Sequence, residues 1–155
     1  MKIILNNEKE TIEFGKKLAE VLTLTDILVL TGDLGTGKTK LTEGILTHFG
    51  LENEISSPTF TIVNEYLNPD INIYHFDVYR LSDSSEFLEI GGDEYFGKGL
   101  CIIEWGETIS DILPSNYIHL KFERDFDDDN KRILNIEIIG EGGNNIEDFI
   151  NRYSK

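Results

Sequence analysis

The sequence predicts an α/β fold of three layers, α/β/α, around a mixed sheet that is parallel at its centre and antiparallel at its flanks. Three observations predict it. An apolar run, Ile27-Leu28-Val29-Leu30, leads through glycines into a helical pattern, which is a β-α unit. A second run, Leu100-Cys101-Ile102-Ile103, is apolar throughout, as buried parallel strands are. Elsewhere, apolar and polar residues alternate in segments joined by turn signals, which is the pattern of hairpin strands.

Each element follows in order. Ile3 to Leu5 is a short strand. Asn7 and Glu10 have the spacing of a capping box, with Asn7 as N-cap and Glu10 at N3. Thr11, Phe14, Leu18, Val21 and Leu22 then recur at helical spacing, so the first helix runs to about Thr23. Thr31-Gly32 ends the strand that begins at Ile27, and Lys38 to Phe49 is a helix closed by Gly50. The segments Phe60 to Tyr66 and Ile71 to Val78 alternate on either side of Asn68-Pro69-Asp70, which reads as a hairpin. Ser84 to Glu89 is a short helix broken by Gly91-Gly92. Leu113-Pro114 closes the segment after Glu104. Tyr117 to Phe122 and Ile133 to Ile139 are late strands around the acidic turn Asp125 to Asn130, and Ile146 to Tyr153 is a terminal helix. No repeat or low-complexity linker divides the chain, so residues 1–155 are read as one domain.

Composition narrows the function classes. Hydrophobic residues make up 39% of the 155, enough for a real core. The formal net charge is -15, from 14 Lys+Arg against 29 Asp+Glu. That balance argues against unaided binding to nucleic acid, whose affinity rests on neutralising phosphates. It argues equally against docking on an anionic membrane. A single cysteine, Cys101, allows no internal disulfide and suits a reducing compartment. The N-terminal apolar run is too short for a signal peptide, and no run approaches the ~18 residues of a membrane span. A cytoplasmic protein is expected.

The segment Gly32-Asp33-Leu34-Gly35-Thr36-Gly37-Lys38-Thr39 fits G-x-x-x-x-G-K-[ST] without deviation. Glycine lets successive backbone N–H groups curl around phosphates. Lys38 supplies a point charge for the β- and γ-phosphates, and the Thr39 hydroxyl ligates Mg²⁺. The helix that begins near Lys38 adds its positive N-terminal dipole. The motif follows a strand and precedes a helix, as this chemistry requires, so the fold is that of the P-loop NTPases. Nucleotide contacts are assigned to Gly35, Thr36, Gly37, Lys38, Thr39 and Lys40.

A phosphate loop needs a carboxylate on a neighbouring strand to hold the metal's water shell. Glu104, which follows Leu100 to Ile103, is the candidate. Trp105 beside it packs on the nucleotide, on a partner, or as a half-buried core aromatic. Asp77, at the end of the second hairpin strand, can orient or deprotonate a water, or pair with Arg80. The catalytic candidates are therefore Lys38, Asp77 and Glu104. His75 reads as a packed strand histidine and Cys101 as a buried inert thiol. Ser57-Pro58-Thr59 is either a γ-phosphate-sensing loop or a plain turn.

Together these residues resemble the TsaE (YjeE) family of bacterial P-loop ATPases. The marks are the loop at Gly32 to Thr39, Ser57-Pro58-Thr59-Phe60 continuing to Glu65-Tyr66, His75-Phe76-Asp77-Val78-Tyr79-Arg80, and Ile103-Glu104-Trp105 with Glu107. The resemblance runs from Thr11 to Arg132. It implies an ATPase that serves the TsaD and TsaB proteins in making threonylcarbamoyladenosine in tRNA next to the anticodon. It implies that Thr39 and Glu104 hold Mg²⁺, that Asp77 is needed for ATP hydrolysis, and that Thr11 and Arg132 lie near the nucleotide. One departure is Gly106, where many members have proline, which implies a looser loop after Glu104. The acidic segment 125–129 has no counterpart in that pattern.

Other classes remain open on the residues alone. A small-molecule kinase can share the loop and use Asp77 as base, but arginines for a lid are scarce. A GTPase predicts Asn-Lys-x-Asp, whereas the chain has Asn130-Lys131-Arg132-Ile133. A non-enzymatic switch module would bind a partner differently with ATP and with ADP.

Overall fold

A computed structural model of the chain describes residues 1–33, 37–55 and 62–154. The strands are β1 (Lys2–Leu5), β2 (Ile27–Thr31), β3 (Val63–Tyr66), β4 (Ile73–Asp77), β5 (Leu100–Glu104), β6 (Tyr117–Arg124) and β7 (Arg132–Ile139). The helices are α1 (Glu8–Ala19), α2 (Lys38–His48), α3 (Ser84–Glu89) and α4 (Asn144–Tyr153). The sheet order is β1-β7-β6-β2-β5-β4-β3. β6, β2, β5 and β4 are mutually parallel. β1, β7 and β3 pair antiparallel at the flanks. The expected mixed three-layer sheet is what the chain forms.

Local chemistry sets the helix starts. The Asn7 side chain accepts from Glu10 N at 2.9 Å and caps α1. The Glu10 carboxylate reaches one residue further back than the usual box, to the backbone N–H of Asn6. Asp83 caps α3 in the same way, accepting from Ser85 N and Glu86 N. α1 ends four residues before the expected Thr23, because Thr23 and Asp26 form their own turn, in which Thr23 N donates to Asp26 Oδ2 at 2.7 Å.

The central strands are buried on both faces. Leu28, Leu30, Ile102, Leu120, Phe122 and Leu134 face α1, α2 and α4, where they meet Phe14, Leu18, Leu41, Ile45 and Phe149. Ile27, Val29, Cys101, Ile103, Tyr74 and Phe76 face the other way, onto Phe87 of α3 and Ile109. That second layer is thinner than a full helical layer. It consists of α3 and two 3₁₀ segments, Gly92–Tyr95 and Gly106–Ile112, which the sequence pattern does not announce. Gly91 starts the first of these in a left-handed conformation, so the glycine pair redirects the chain as well as ending α3. Burial pushes the Cys101 thiol up to about 12, consistent with an inert core residue. Among the described residues no helix is long and apolar enough to cross a membrane.

α1 and α2 touch through glycine. A Cβ at Gly44 would stand 2.2 Å from the Ile12 carbonyl oxygen, and one at Gly15 would stand 2.5 Å from that of Leu41. Both obstacles are backbone, so the helices cannot simply yield. Substituting Gly44→Ala opposes two effects. Helix propensity favours alanine by about 1 kcal/mol, while overpacking costs about 1–3 kcal/mol or more. The clash should win by about 1–2 kcal/mol, lowering the melting temperature by roughly 2–8 °C for a chain of this size. An unchanged or raised melting temperature by circular dichroism would show that the crossing is not held at backbone contact.

Candidate functional site

The parallel register gathers the candidate residues at one end of the sheet. Leu30 of β2 pairs with Glu104 of β5, and Glu104 pairs with Asp77 of β4. The chain leaves β2 at Thr31 and enters α2 at Lys38, so the helix start lies over the carboxyl ends of β2 and β5. This is the crevice where open parallel sheets bind ligands. Gly37 makes the entry possible, because its φ of 117° lies in the region that favours glycine. A Cβ there would come into van der Waals contact with the Phe122 ring, 3.4 Å away.

Lys38 is 4% exposed. Its ammonium donates to the carbonyls of Gly32 at 2.6 Å and Asp33 at 3.0 Å. It also lies 4.0 Å above the Trp105 ring, within cation–π range. Burial lowers the Lys38 pKa, and the nearby Glu104, Glu107, Asp33 and Asp77 oppose that effect. One ammonium therefore faces four carboxylates. Adding a polyphosphate to such a site calls for a further cation.

The oxygens present suit one. Thr39 is exposed, and its hydroxyl donates to Glu104 Oε1 at 3.3 Å. The Glu104 carboxylate is buried, 4% exposed, at the strand end. A hydroxyl beside a carboxylate is a hard-oxygen pair, which fits Mg²⁺ held by few protein ligands and several waters. Among the described residues no group of three His, Cys, Asp or Glu side chains forms a fuller metal cage.

Asp77 is half-buried beside Glu104. One carboxylate oxygen accepts from Tyr79 N at 3.0 Å. Burial raises its pKa; the Tyr79 bond lowers it and the Glu104 charge raises it again. A carboxyl raised in this way is a better proton acceptor than an exposed aspartate.

Trp105 adopts a left-handed φ of 64°, rare for a bulky residue. Its backbone N–H donates to Leu30 O at 2.9 Å, and its ring lies against Tyr79 with centroids 4.7 Å apart and planes tilted by 47°. Tyr79 is 60% exposed, so the aromatic pair forms one wall of the site. Gly106 is buried, and a Cβ there would meet Val29 at 2.2 Å. Glycine at this position therefore gives a tightly packed turn rather than a loose one.

The remaining candidates divide. Thr11 is 2% exposed, bonds its hydroxyl to Asn7 O at 3.3 Å and turns its methyl toward Gly37. Lys40 pairs with Glu43 at 3.4 Å. Arg132 opens β7 opposite Leu5 and Arg124, at the same end of the sheet as the loop. Its guanidinium donates to the carbonyls of Asp129 and Lys131. Gly35, Thr36 and Ser57-Pro58-Thr59 lie outside the described residues. The residue whose role the sequence pattern understated is His75, whose Nε2 pairs with Glu104 Oε2. Its signal was the period of two, which sets His75 on the same strand face as Asp77.

Comparisons with known proteins agree on one family. The family model for Threonylcarbamoyl adenosine biosynthesis protein TsaE matches residues 5–133. The tRNA threonylcarbamoyladenosine biosynthesis protein TsaE of Rickettsia typhi is 41% identical over 134 residues, covering 86% of this chain and 92% of that protein. The protein of the same name from Haemophilus influenzae is 42% identical over 154 residues, covering 94% of each. Among solved structures, the crystal structure of Bacillus subtilis YdiB superposes with a TM-score of 0.77 at 32% identity, covering 99% of this chain and 93% of that one.

Trp105 is the only tryptophan, so its emission reports on the ammonium above it. Lys38→Ala should change the intensity of Trp105 emission in the folded protein, because the charge 4.0 Å from the ring is removed. Identical spectra for the two proteins would mean that the ammonium does not rest there in solution.

Proposed function

The chain belongs to the TsaE family, and from that premise we propose that it binds ATP with Mg²⁺ and hydrolyses it in support of tRNA threonylcarbamoyladenosine biosynthesis. The observation that carries the proposal is the cluster of Lys38, Thr39 and Glu104 at the carboxyl ends of β2 and β5. Lys38 takes the β- and γ-phosphates, with Gly35, Thr36 and Gly37 supplying backbone N–H groups. Thr39 and Glu104 hold Mg²⁺, whose chemistry when bound is to neutralise charge developing on the phosphates. Asp77 orients the attacking water and takes up its proton. The Trp105–Tyr79 wall closes one side of the site and limits water access. Thr11, Lys40 and Arg132 border the nucleotide.

Charge supports an indirect relation to RNA. With a net charge of -15, the chain is a poor ligand for tRNA phosphates. The reading is that it acts on the TsaD–TsaB proteins, which meet the tRNA, and that it works in the cytoplasm.

The test is turnover and association together. The pure protein should hydrolyse ATP slowly with Mg²⁺ and faster with TsaD–TsaB. Asp77→Asn should lower kcat by roughly 10²–10⁴-fold while ATP affinity stays within a few-fold, since its part is in proton transfer. Wild-type kcat in Asp77→Asn would remove the assigned base. Failure to associate with TsaD–TsaB under every nucleotide condition would overturn the partner assignment.

A further inference from the structure

His75 is 3% exposed in β4, between β5 and β3, with Ile73 below it on the same face and Asp77 above. A polar side chain in that place costs stability unless it is bonded. Its bond goes to the site: Nε2 meets Glu104 Oε2. A carboxylate oxygen only accepts, so the ring hydrogen sits on Nε2. Nδ1 is buried without a hydrogen-bond partner among the described residues, which suits a bare acceptor better than a second N–H.

The two oxygens of Glu104 are thus treated differently. Oε2 is held from inside the protein by a ring that strand packing locks in place. Oε1 faces Thr39 at 3.3 Å, a longer and weaker contact. Glutamate has three side-chain torsions, and Thr39 alone would leave them poorly fixed. From this geometry we propose that His75 is the positioning residue of the metal site: it holds Oε2 so that Oε1 is presented beside the Thr39 hydroxyl. The inference rests on the reading that Thr39 and Glu104 hold the divalent ion. Groups that orient metal ligands in this way typically contribute 10–100-fold to metal affinity.

The experiment uses Mn²⁺ as probe, with free ion counted by electron paramagnetic resonance in the presence of a non-hydrolysable ATP analogue. His75→Leu should weaken Mn²⁺ uptake about 10–100-fold. Affinity for the analogue measured in chelator should change less than about threefold, because Lys38 and the loop are untouched. His75→Gln, whose amide N–H reaches the position of Nε2, should restore Mn²⁺ affinity to within about threefold of wild type. His75→Asn, one methylene shorter, should not, and it gives the same contrast should the leucine variant fail to fold. Wild-type Mn²⁺ affinity in His75→Leu or His75→Asn would overturn the proposal. So would a His75→Gln protein that melts like wild type yet binds Mn²⁺ as weakly as His75→Asn. If the wild type itself takes up no Mn²⁺ with the analogue, the reading of Thr39 and Glu104 as metal ligands fails first, and this inference falls with it.

Discussion

A buried carboxylate constrains the whole site. Glu104 is 4% exposed, and an uncompensated charge there would be expensive. Three neighbours make the position tenable. His75 bonds one oxygen, Thr39 bonds the other, and the Lys38 ammonium interacts with it favourably through space. They come from two elements: His75 from β4, and Lys38 and Thr39 from the first turn of α2. The parallel register of β2, β5 and β4 brings those elements together. Shifting any one strand by a residue would turn its functional side chain to the opposite face. The sheet therefore acts as a ruler for the chemistry, and its hydrophobic alternation keeps the ruler in register.

The same logic explains the close approach of α1 and α2. Gly15 and Gly44 let the two helices meet at backbone contact. Phe14, Leu18, Leu41 and Ile45 can then bury fully against β2 and its neighbours. α1 carries Thr11 against Gly37, so the helix pair also fixes the entry to α2. Packing on one face of the sheet and ligand geometry at its end are one arrangement.

Much of this is legible in the sequence because it rests on local rules. The G-x-x-x-x-G-K-[ST] loop is a contiguous signature, the Asn7 cap is a short-range bond, and Glu104 marks the end of an apolar run. What is not legible depends on register between strands far apart in sequence. His75 and Glu104 are 29 residues apart, and alternation alone shows which side each takes but not that they meet. The helix crossing at Gly15 and Gly44 is hidden for the same reason, since a glycine inside a helical pattern reads only as a weak helix former. The left-handed Trp105 and the 3₁₀ segment after it follow from Gly106 packing on Val29, a tertiary contact. Arg132 is a further case: antiparallel pairing brings it to the loop end of the sheet, but its bonds to Asp129 and Lys131 form within its own turn.

Lys38 shows how the site prepares for a ligand. Two of its three ammonium hydrogens are already placed, on the Gly32 and Asp33 carbonyls, and the Trp105 ring covers a further side. Under the proposed function, phosphate binding at this ammonium would be an exchange of partners rather than the filling of an empty valence. The net gain per hydrogen bond in such exchanges is modest, about 0.5–1.5 kcal/mol, or about 1.5–3 when one partner is charged. That ring also lies against Tyr79, with the planes tilted by 47°, and Tyr79 is largely exposed. An anion that drew the ammonium away would remove its contact with that aromatic pair. A ligand shifts an equilibrium only by binding two arrangements unequally. Under the proposed function, an ammonium that left Trp105 for phosphate would provide that inequality within one residue.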